Sequence, residues 1–330
     1  MDKYPISASS LEKFYYVDGH QLERQYKDHL SDYLDWAISE IGLHAENWLV
    51  FPENVGPRQS IDETSLSDGE LYTIVTNKDA HGRKGALVAI ILGTKSEDVI
   101  AALNTMPEEV RNTVTEITLD LSSSMRKIAR LSFPKAVQVI DRFHVQKLML
   151  EAVQDVRIRH RWETLEEFNR TAAEYRKRGE TYHPTTLKNG DTIKELLARS
   201  RYLLYKSPEK WSRQQKQRAE LLFDLFPDIK DAYWLGHDLR LIYSKTKEIG
   251  VGYTKLAKWF NKVEQLGIKE LATVAGTVME RYRDILNFFE LRNTNAFAES
   301  FNAKLKSFRA KLNGVSDKKF FLFRIAKIWG

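Results

Sequence analysis

Two short β-branched runs, each ending on an aspartate, place the strongest constraint on the fold of this chain. Residues 115–120 read Thr-Glu-Ile-Thr-Leu-Asp and residues 137–141 read Val-Gln-Val-Ile-Asp, with one helix-sized segment between them. A strand, a helix and a second strand of this kind predict two parallel neighbouring strands. Asp120 and Asp141 are therefore expected at the same sheet edge, which is where open α/β sheets bind ligands and metal ions.

Three further strand-like runs precede this pair, at residues 59–63, 70–76 and 86–92. The order β-β-β-α-β-α-β predicts an α/β fold with a mixed five-stranded sheet, in which three antiparallel strands are continued by two parallel ones. Residues 1–57 are predicted to be helical and then irregular. Residues 58–145 and 284–330 are predicted to form the α/β core, and residues 146–283 a large all-α insertion between the fifth strand and the last helix. That last helix is predicted from 281 to 312, ending at Asn313-Gly314.

The composition excludes several classes of protein and site. The chain has no cysteine, so it has no disulfide and no thiolate zinc site, and its 8 histidines show no metal-ligand spacing. Hydrophobic residues make up 42% of the 330 residues, which predicts a folded globular protein. No signal peptide and no apolar run of the roughly 18 residues that span a bilayer is visible, so a soluble, cytoplasmic protein is expected.

Positive charge is concentrated near the C-terminus. Residues 301–330 carry 8 Lys or Arg and 1 Asp, a net charge of +7, whereas the whole chain has +6. Six aromatic residues lie among these charges, which predicts a helix that packs one face and offers phosphate contacts on the other. A solvated basic helix with no partner is the alternative. The candidate DNA-binding residues are Lys304, Lys306, Arg309, Lys311, Lys318 and Lys319.

The predicted last helix also has two distinct faces. On a helical wheel a polar stripe centred on Glu299 lies opposite an aromatic and aliphatic stripe. The polar stripe consists of Asn295, Glu299, Asn302 and Lys306, and the apolar stripe of Phe297, Phe301, Leu305 and Phe308. Taken alone, a glutamate on such a face is more often an ordinary surface residue.

Asp62 lies inside the first strand-like run, where aspartate is disfavoured. It marks either a turn or edge, or a carboxylate that the sheet holds rigidly. If its strand lies beside that of Asp120, the two carboxylates become neighbours, and a helix packed on the sheet can add Glu299. Three rigid carboxylates suit Mg²⁺, and two such ions roughly 4 Å apart activate the attacking oxygen and stabilise the leaving one in phosphoryl transfer.

Four motifs of this chain resemble the DDE transposases of bacterial insertion sequences, and most closely those of the ISL-three type. The motifs occupy residues 60–66, 118–122, 139–147 and 293–304, and the resemblance spans roughly residues 55–325. It implies a ribonuclease H-like catalytic core with a helical insertion. The resemblance implies that Asp62, Asp120 and Glu299 are the catalytic triad and the ligands of two Mg²⁺ ions, with Mn²⁺ as a substitute.

The segment Asp141-Arg142-Phe143-His144 resembles a signature that follows the fifth strand in insertion-containing transposases. The resemblance implies that Asp141 and His144 support or orient the site, together with Asn295 and Asn302 on the polar stripe. The residues alone leave one alternative open for each side chain. Asp141 could itself be a metal ligand, and His144 could be a buried structural histidine.

The resemblance further implies cleavage of insertion-sequence ends and transfer of the 3′-hydroxyl strand into target DNA by a homodimer or higher oligomer, in the nucleoid of the bacterial cytoplasm. Longer relatives resemble the chain only after an upstream zinc-ribbon and helix-turn-helix region, so a separately encoded end-binding protein is a further expectation. Two rival functions are a ribonuclease H-like, structure-specific nuclease without strand transfer and a non-catalytic, transposase-derived DNA-binding protein.

Overall fold

A computed structural model describes residues 1–67, 69–291, 295–312, 315 and 317–330. The predicted turn residue Asp68, the first two residues of the motif at 293–304 and the predicted helix end at Asn313-Gly314 lie outside the described residues. The chain forms two compact units. Residues 1–141 and 292–330 form one, here called the sheet unit, and residues 142–291 form the other, called the helical unit.

The sheet unit is built on one mixed sheet of six strands in the order β1-β4-β3-β2-β5-β6. The antiparallel pairs are β1 with β4, β4 with β3 and β3 with β2, and the parallel pairs are β2 with β5 and β5 with β6. The predicted mixed α/β architecture is therefore confirmed. The strands are β1 (Trp48–Val50), β2 (Arg58–Ser67), β3 (Glu70–Asn77), β4 (Leu87–Leu92), β5 (Glu116–Leu119) and β6 (Val137–Ile140).

The sheet has one strand more than the sequence predicted. Strand β1 has only three residues and lies at the sheet edge, where Leu49 pairs with Ile90 of β4. Three apolar residues are too few to show a strand period, and the breaker Phe51-Pro52 follows them at once. Pairing with a strand some forty residues away, rather than local propensity, creates β1.

Helices of the sheet unit precede, interrupt and follow the strands. They are α1 (Ser9–Tyr15), α2 (Gly19–Gln25), α3 (Tyr33–Ile38), α4 (Glu40–His44), α5 (Ser96–Leu103), α6 (Glu108–Arg111), α7 (Ser123–Ser132), α15 (Ala296–Lys311) and α16 (Lys318–Trp329). Between α2 and α3 the segment Tyr26–Leu30 forms one π-helical turn.

Helices α15 and α16 share a core with the sheet. Phe301 and Phe308 of α15 and Trp329 of α16 are buried in one cluster with Leu49 and Ile74 of the strands. The Phe301 and Phe308 rings contact the Trp329 ring edge-on, at centroid distances of 5.5 and 6.0 Å. Loss of one such aromatic side chain typically costs about 3–5 kcal/mol, so this cluster holds α15 firmly on the sheet.

A buried ion pair lies under the middle of the sheet. Lys78, which follows β3, places its ammonium 2.8 Å from Glu116 Oε1 and 2.7 Å from Thr118 Oγ1 on β5. All three side chains are buried. Thr118 pairs with Ser60 of β2, so the two side chains point to the same face of the sheet.

The helical unit contains seven helices among its described residues. They are α8 (Arg142–Lys177), α9 (Ile193–Arg199), α10 (Arg213–Leu225), α11 (Pro227–Lys245), α12 (Ile249–Leu266), α13 (Lys269–Glu280) and α14 (Tyr282–Leu291). Two of these helices begin at local sequence signals. Helices α9 and α10 each start with a complete capping box, at Thr192 and Ser212.

One prediction about the helices is wrong. A single helix was expected from 281 to 312, but α14 ends at Leu291 and α15 begins at Ala296. Asn295 occupies the N-cap position of α15, but its side chain makes no capping hydrogen bond and accepts one from Ser60 of β2 instead. No described helix of either unit is long and apolar enough to cross a membrane.

Candidate active site

Asp62 lies on β2 and Asp120 directly follows β5, the two strands that join the antiparallel and parallel halves of the sheet. The β2–β5 pairing runs from Arg58 opposite Glu116 to Ser60 opposite Thr118, so both aspartates follow two residues after the last pair. Both are half-buried. Asp120 Oδ1 accepts a hydrogen bond of 2.8 Å from the backbone N–H of Ser122, which fixes the turn into α7.

Two buried asparagines of α15 contact β2. The Ser60 hydroxyl donates to Asn295 Oδ1, and Asn302 Nδ2 donates to Asp62 Oδ2 at 2.8 Å. Asn295 is fully buried and Asn302 is 6% exposed. The asparagines are seven residues apart on the helix and their partners two residues apart on the strand. These contacts, here called the asparagine clamp, therefore fix α15 to β2 at two points.

The clamp places Glu299 between its two contacts along α15. Glu299 lies in the first turn and is exposed, one turn beyond Asn295 and nearly one turn before Asn302. A side-chain oxygen of Glu299 and one of Asp141 lie within 4.8 Å of each other. Asp141 follows β6 directly and is 1% exposed. Two carboxylates at this separation offer the hard oxygen ligands that divalent cations prefer.

The asparagine clamp contains two unsatisfied polar atoms. Asn302 Oδ1 and Asn295 Nδ2 are buried and have no hydrogen-bond partner among the residues that the structure describes. Because Asn302 uses its amide nitrogen to bond Asp62, its oxygen is the atom left over. A buried orphan acceptor costs about 1–3 kcal/mol, a cost that a bound cation or its water would remove. The donor set of carboxylates and an amide oxygen fits a hard divalent metal.

Asp62, Asp120 and Glu299 do not form one tight cluster in the part of the chain that the structure describes. Among the described residues, no group is found in which these three carboxylates all lie within 4.8 Å of one another, whereas Asp141 and Glu299 do approach to that distance. His144 is half-buried in the first turn of α8, which belongs to the helical unit. Its role stays a prediction.

Glu63 is an acidic neighbour of Asp62 on β2 that the sequence reasoning did not single out. Partial burial, together with the negative charges of Asp120 and Asp62, raises the pKa of the Glu63 carboxyl. The strand pleat points Glu63 to the face opposite that of Asp62. The Asp-Glu pair within a strand was the available signal, because two adjacent acidic residues are unusual there.

The two predicted stripes of the last helix need correction. Phe301, Leu305 and Phe308 are buried as expected, but Phe297 is 45% exposed and contacts the ring of His81 edge-on. Asn295 and Asn302 are buried although they lie on the polar stripe. These two asparagines of the polar stripe meet β2, where Ser60 and Asp62 supply polar partners, whereas Glu299 and Lys306 are exposed.

Most of the predicted DNA-binding cations of α15 and α16 have partners within the sheet unit. Arg309 is 3.7 Å from Glu70, and Lys318 pairs with the same carboxylate. Lys319 donates to the Ala37 carbonyl at 2.8 Å, Lys311 to that of Pro5 at 3.5 Å and Lys304 to that of Gly82 at 3.0 Å. Lys306 is exposed.

Asp120 and Asp141 follow adjacent parallel strands, and Glu299 lies on a helix fixed to the same sheet, so oxygen ligands of the kind that hard divalent cations prefer meet on one unit of the protein. The family model of the ISL3-type DDE transposases, described as a transposase, matches residues 60–325. The chain therefore belongs to this family, as the sequence motifs predicted. Membership implies DNA binding, a role in DNA transposition and nuclease or transesterification activity. No curated protein and no solved structure matches the chain.

Proposed function

We propose that this protein cleaves the ends of its insertion sequence and transfers the resulting 3′-hydroxyl strand into target DNA. The observation that carries the proposal is the hydrogen bond between Asn302 and Asp62. It joins the last family motif to the first across 240 residues of chain, and so brings the helix of Glu299 to the strand of the first aspartate. The strand order of β2 to β6 supports a ribonuclease H-like core.

Asp62, Asp120 and Glu299 are assigned as the catalytic carboxylates and metal ligands. Asp141 is assigned as a supporting residue, with metal ligation as its alternative, because it lies within 4.8 Å of Glu299. His144 is assigned the same supporting role from the motif alone. The core assignment covers residues 58–145 and 284–330, with residues 146–283 as the insertion.

Mg²⁺, or Mn²⁺ in its place, supplies an activated oxygen nucleophile and stabilises the leaving oxygen when it is bound. The residues of the chain do the positioning. Asn302 holds the Asp62 carboxylate by donating to Oδ2, while its own Oδ1 stays buried without a described hydrogen-bond partner. Asn295 fixes the start of α15 on Ser60, which limits the positions open to Glu299. The turn at Ser122 orients Asp120.

The assembly is proposed to be a homodimer or higher oligomer on DNA, because both ends of a mobile element have to be cut and joined. A separately encoded protein is proposed to recognise the element ends. The site of action is proposed to be the nucleoid of the bacterial cytoplasm.

Purified protein with labelled end DNA and Mg²⁺ tests the assignment. Asp62→Asn, Asp120→Asn and Glu299→Gln are each expected to lower cleavage by more than the 10–100-fold that loss of an outer-shell partner typically costs. Glu290→Gln, an exposed glutamate of α14, is the matched control and is expected to cleave normally. Full activity of any one triad variant would remove that residue from the assignment.

A joining assay with a pre-cleaved 3′-hydroxyl end and plasmid target distinguishes a transposase from a nuclease. Strand transfer requires the same carboxylates, so the triad variants are expected to lose cleavage and joining together. Cleavage without any joining by the parent protein would favour the structure-specific nuclease.

A further inference from the structure

The excess positive charge of this protein lies in the helical unit, not in the unit that contains the basic C-terminal segment. Residues 142–291 contain 28 Lys and Arg against 21 Asp and Glu, a net charge of +7. The remaining residues contain 23 against 24, a net charge of −1. Most of the predicted DNA-binding cations of α15 and α16 bond to groups of the sheet unit, and that unit has no net positive charge. The helical unit is therefore the better candidate for a phosphate-binding surface.

One groove of the helical unit concentrates this charge. It lies between the end of α11 and α12, and four lysines line it with a single acid, Asp238. We call it the lysine groove. Its cationic residues are Lys245, Lys255, Lys258 and Lys262.

The lysines are arranged in a row. Lys255, Lys258 and Lys262 follow an i, i+3, i+7 pattern, so they share one face of α12 over roughly 10 Å of helix length. All are exposed. Lys262 pairs with Asp238 at 3.2 Å, and an exposed ion pair of this kind contributes little to stability. Lys245 and Lys258 form no ion pair with any residue that the structure describes.

The floor of the groove is apolar and closed. Trp259 is 2% exposed, and its indole Nε1 donates to the Leu235 carbonyl at 2.9 Å. Its ring face is therefore not available for stacking on an unpaired base, which is the contact that single-strand binding sites use. What the groove offers is charge without a stacking platform or a fixed set of base-reading groups.

We propose that the lysine groove binds the sugar-phosphate backbone of duplex DNA without reading its sequence. This inference rests on the proposed function, because that function supplies DNA as the partner. The groove would add affinity and orientation, while the specificity of end cleavage would depend on other residues.

The test is the salt dependence of duplex binding by the full-length protein. A fluorescein-labelled duplex of arbitrary sequence is titrated in EDTA, so that binding is measured without cleavage, over a series of salt concentrations. Each phosphate contact adds about 0.9 to the slope of log K against log salt. The quadruple variant Lys245→Gln, Lys255→Gln, Lys258→Gln and Lys262→Gln is expected to lower the slope by about 2–4 and the low-salt affinity by at least about tenfold.

A control variant distinguishes binding at the lysine groove from a general effect of the protein's net charge. Four exposed lysines of the helical unit that do not line the groove, Lys188, Lys210, Lys216 and Lys230, are changed to glutamine together. The slope of this control is expected to change by less than one. An unchanged slope in the groove variant, or an equal fall in both variants, would overturn the proposal. Tighter binding of the single strand than of the duplex, lost in the groove variant, would also overturn it.

The outcome is independent of the catalytic assignment. If the proposed cleavage fails while the groove variant still loses duplex affinity, the groove stands and the catalytic proposal falls. If cleavage is observed and the groove variant binds duplex like the parent, the catalytic proposal stands and the groove proposal falls. Circular dichroism spectra and melting curves establish that both quadruple variants are folded.

Discussion

Removing Lys78 is expected to destabilise the sheet unit severely. The Lys78 ammonium is buried against Glu116 and Thr118, with 6% and 5% of the Lys78 and Glu116 side chains exposed. Burial lowers the pKa of Lys78, and the hydrogen bond to Glu116 and the charge of Asp141 oppose this shift. In Lys78→Met, Glu116 would stay in the interior without its cation.

The size of the effect follows from this burial. Breaking a buried ion pair by deleting one partner typically costs about 3–5 kcal/mol, because an uncompensated charge remains. Replacing both partners with apolar residues of similar volume is often neutral. Lys78→Met is therefore expected to lose about 3–5 kcal/mol of unfolding free energy. The double variant Lys78→Met, Glu116→Met is expected to recover most of that loss.

Urea denaturation at pH 7, followed by far-UV circular dichroism, measures both variants against the parent. The exposed pair of Lys95 and Asp98 provides a control, since Lys95→Met should change stability by less than about 1 kcal/mol. A single variant that loses less than about 1 kcal/mol, or a double variant as unstable as the single, would refute the reasoning. Either result would mean that Glu116 is solvated without Lys78.

Three further predictions follow from individual contacts. Asn302→Leu removes the donor to Asp62 and is expected to weaken Mn²⁺ binding about 10–100-fold in a calorimetric titration; unchanged affinity would contradict the clamp. Glu63 has a raised pKa in the folded state, so its ionisation lowers the free energy of unfolding as the pH rises from the ordinary pKa of a glutamate through the raised one. Glu63→Gln should thus raise the melting temperature at pH 7 and not at pH 4; equal shifts at both would oppose this. Arg324 Nη2 donates to the Met1 and Ile6 carbonyls, so Arg324→Met should speed proteolysis within residues 1–38 severalfold, and an unchanged cleavage rate would argue against that anchor.

The C-terminal segment shows why a charge count along the chain is a weak guide to a binding surface. Its net charge of +7 exceeds that of the whole chain. Yet Arg309 and Lys318 share Glu70, Lys327 pairs with Asp32 at 2.7 Å, and Arg324 is 2% exposed. A cation paired with a carboxylate from another element contributes little to the field outside the protein, and a linear sequence does not reveal which cations are paired.

The sequence by itself determined the elements whose signals are local. The strands β2 to β6 were predictable because each combines β-branched residues with turn residues on both sides, and their order fixed the change from antiparallel to parallel pairing. The helical character of residues 146–283 was predictable from periodicity, and the capping boxes of α9 and α10 are local signals of two helix starts. The family was recognisable because its motifs keep their order and spacing, and the family match confirmed it.

The tertiary structure alone decided the features that depend on distant partners. Strand β1 exists because β4 offers it an edge, and Asn295 and Asn302 on the polar face of α15 are buried because Ser60 and Asp62 bond to them. The contacts of that face span 235 and 240 residues of chain. Periodicity reports which residues share a face of an element, whereas packing decides what that face meets. The sequence thus predicted which carboxylates form the site, and only the fold could show how α15 is held on the strand of Asp62.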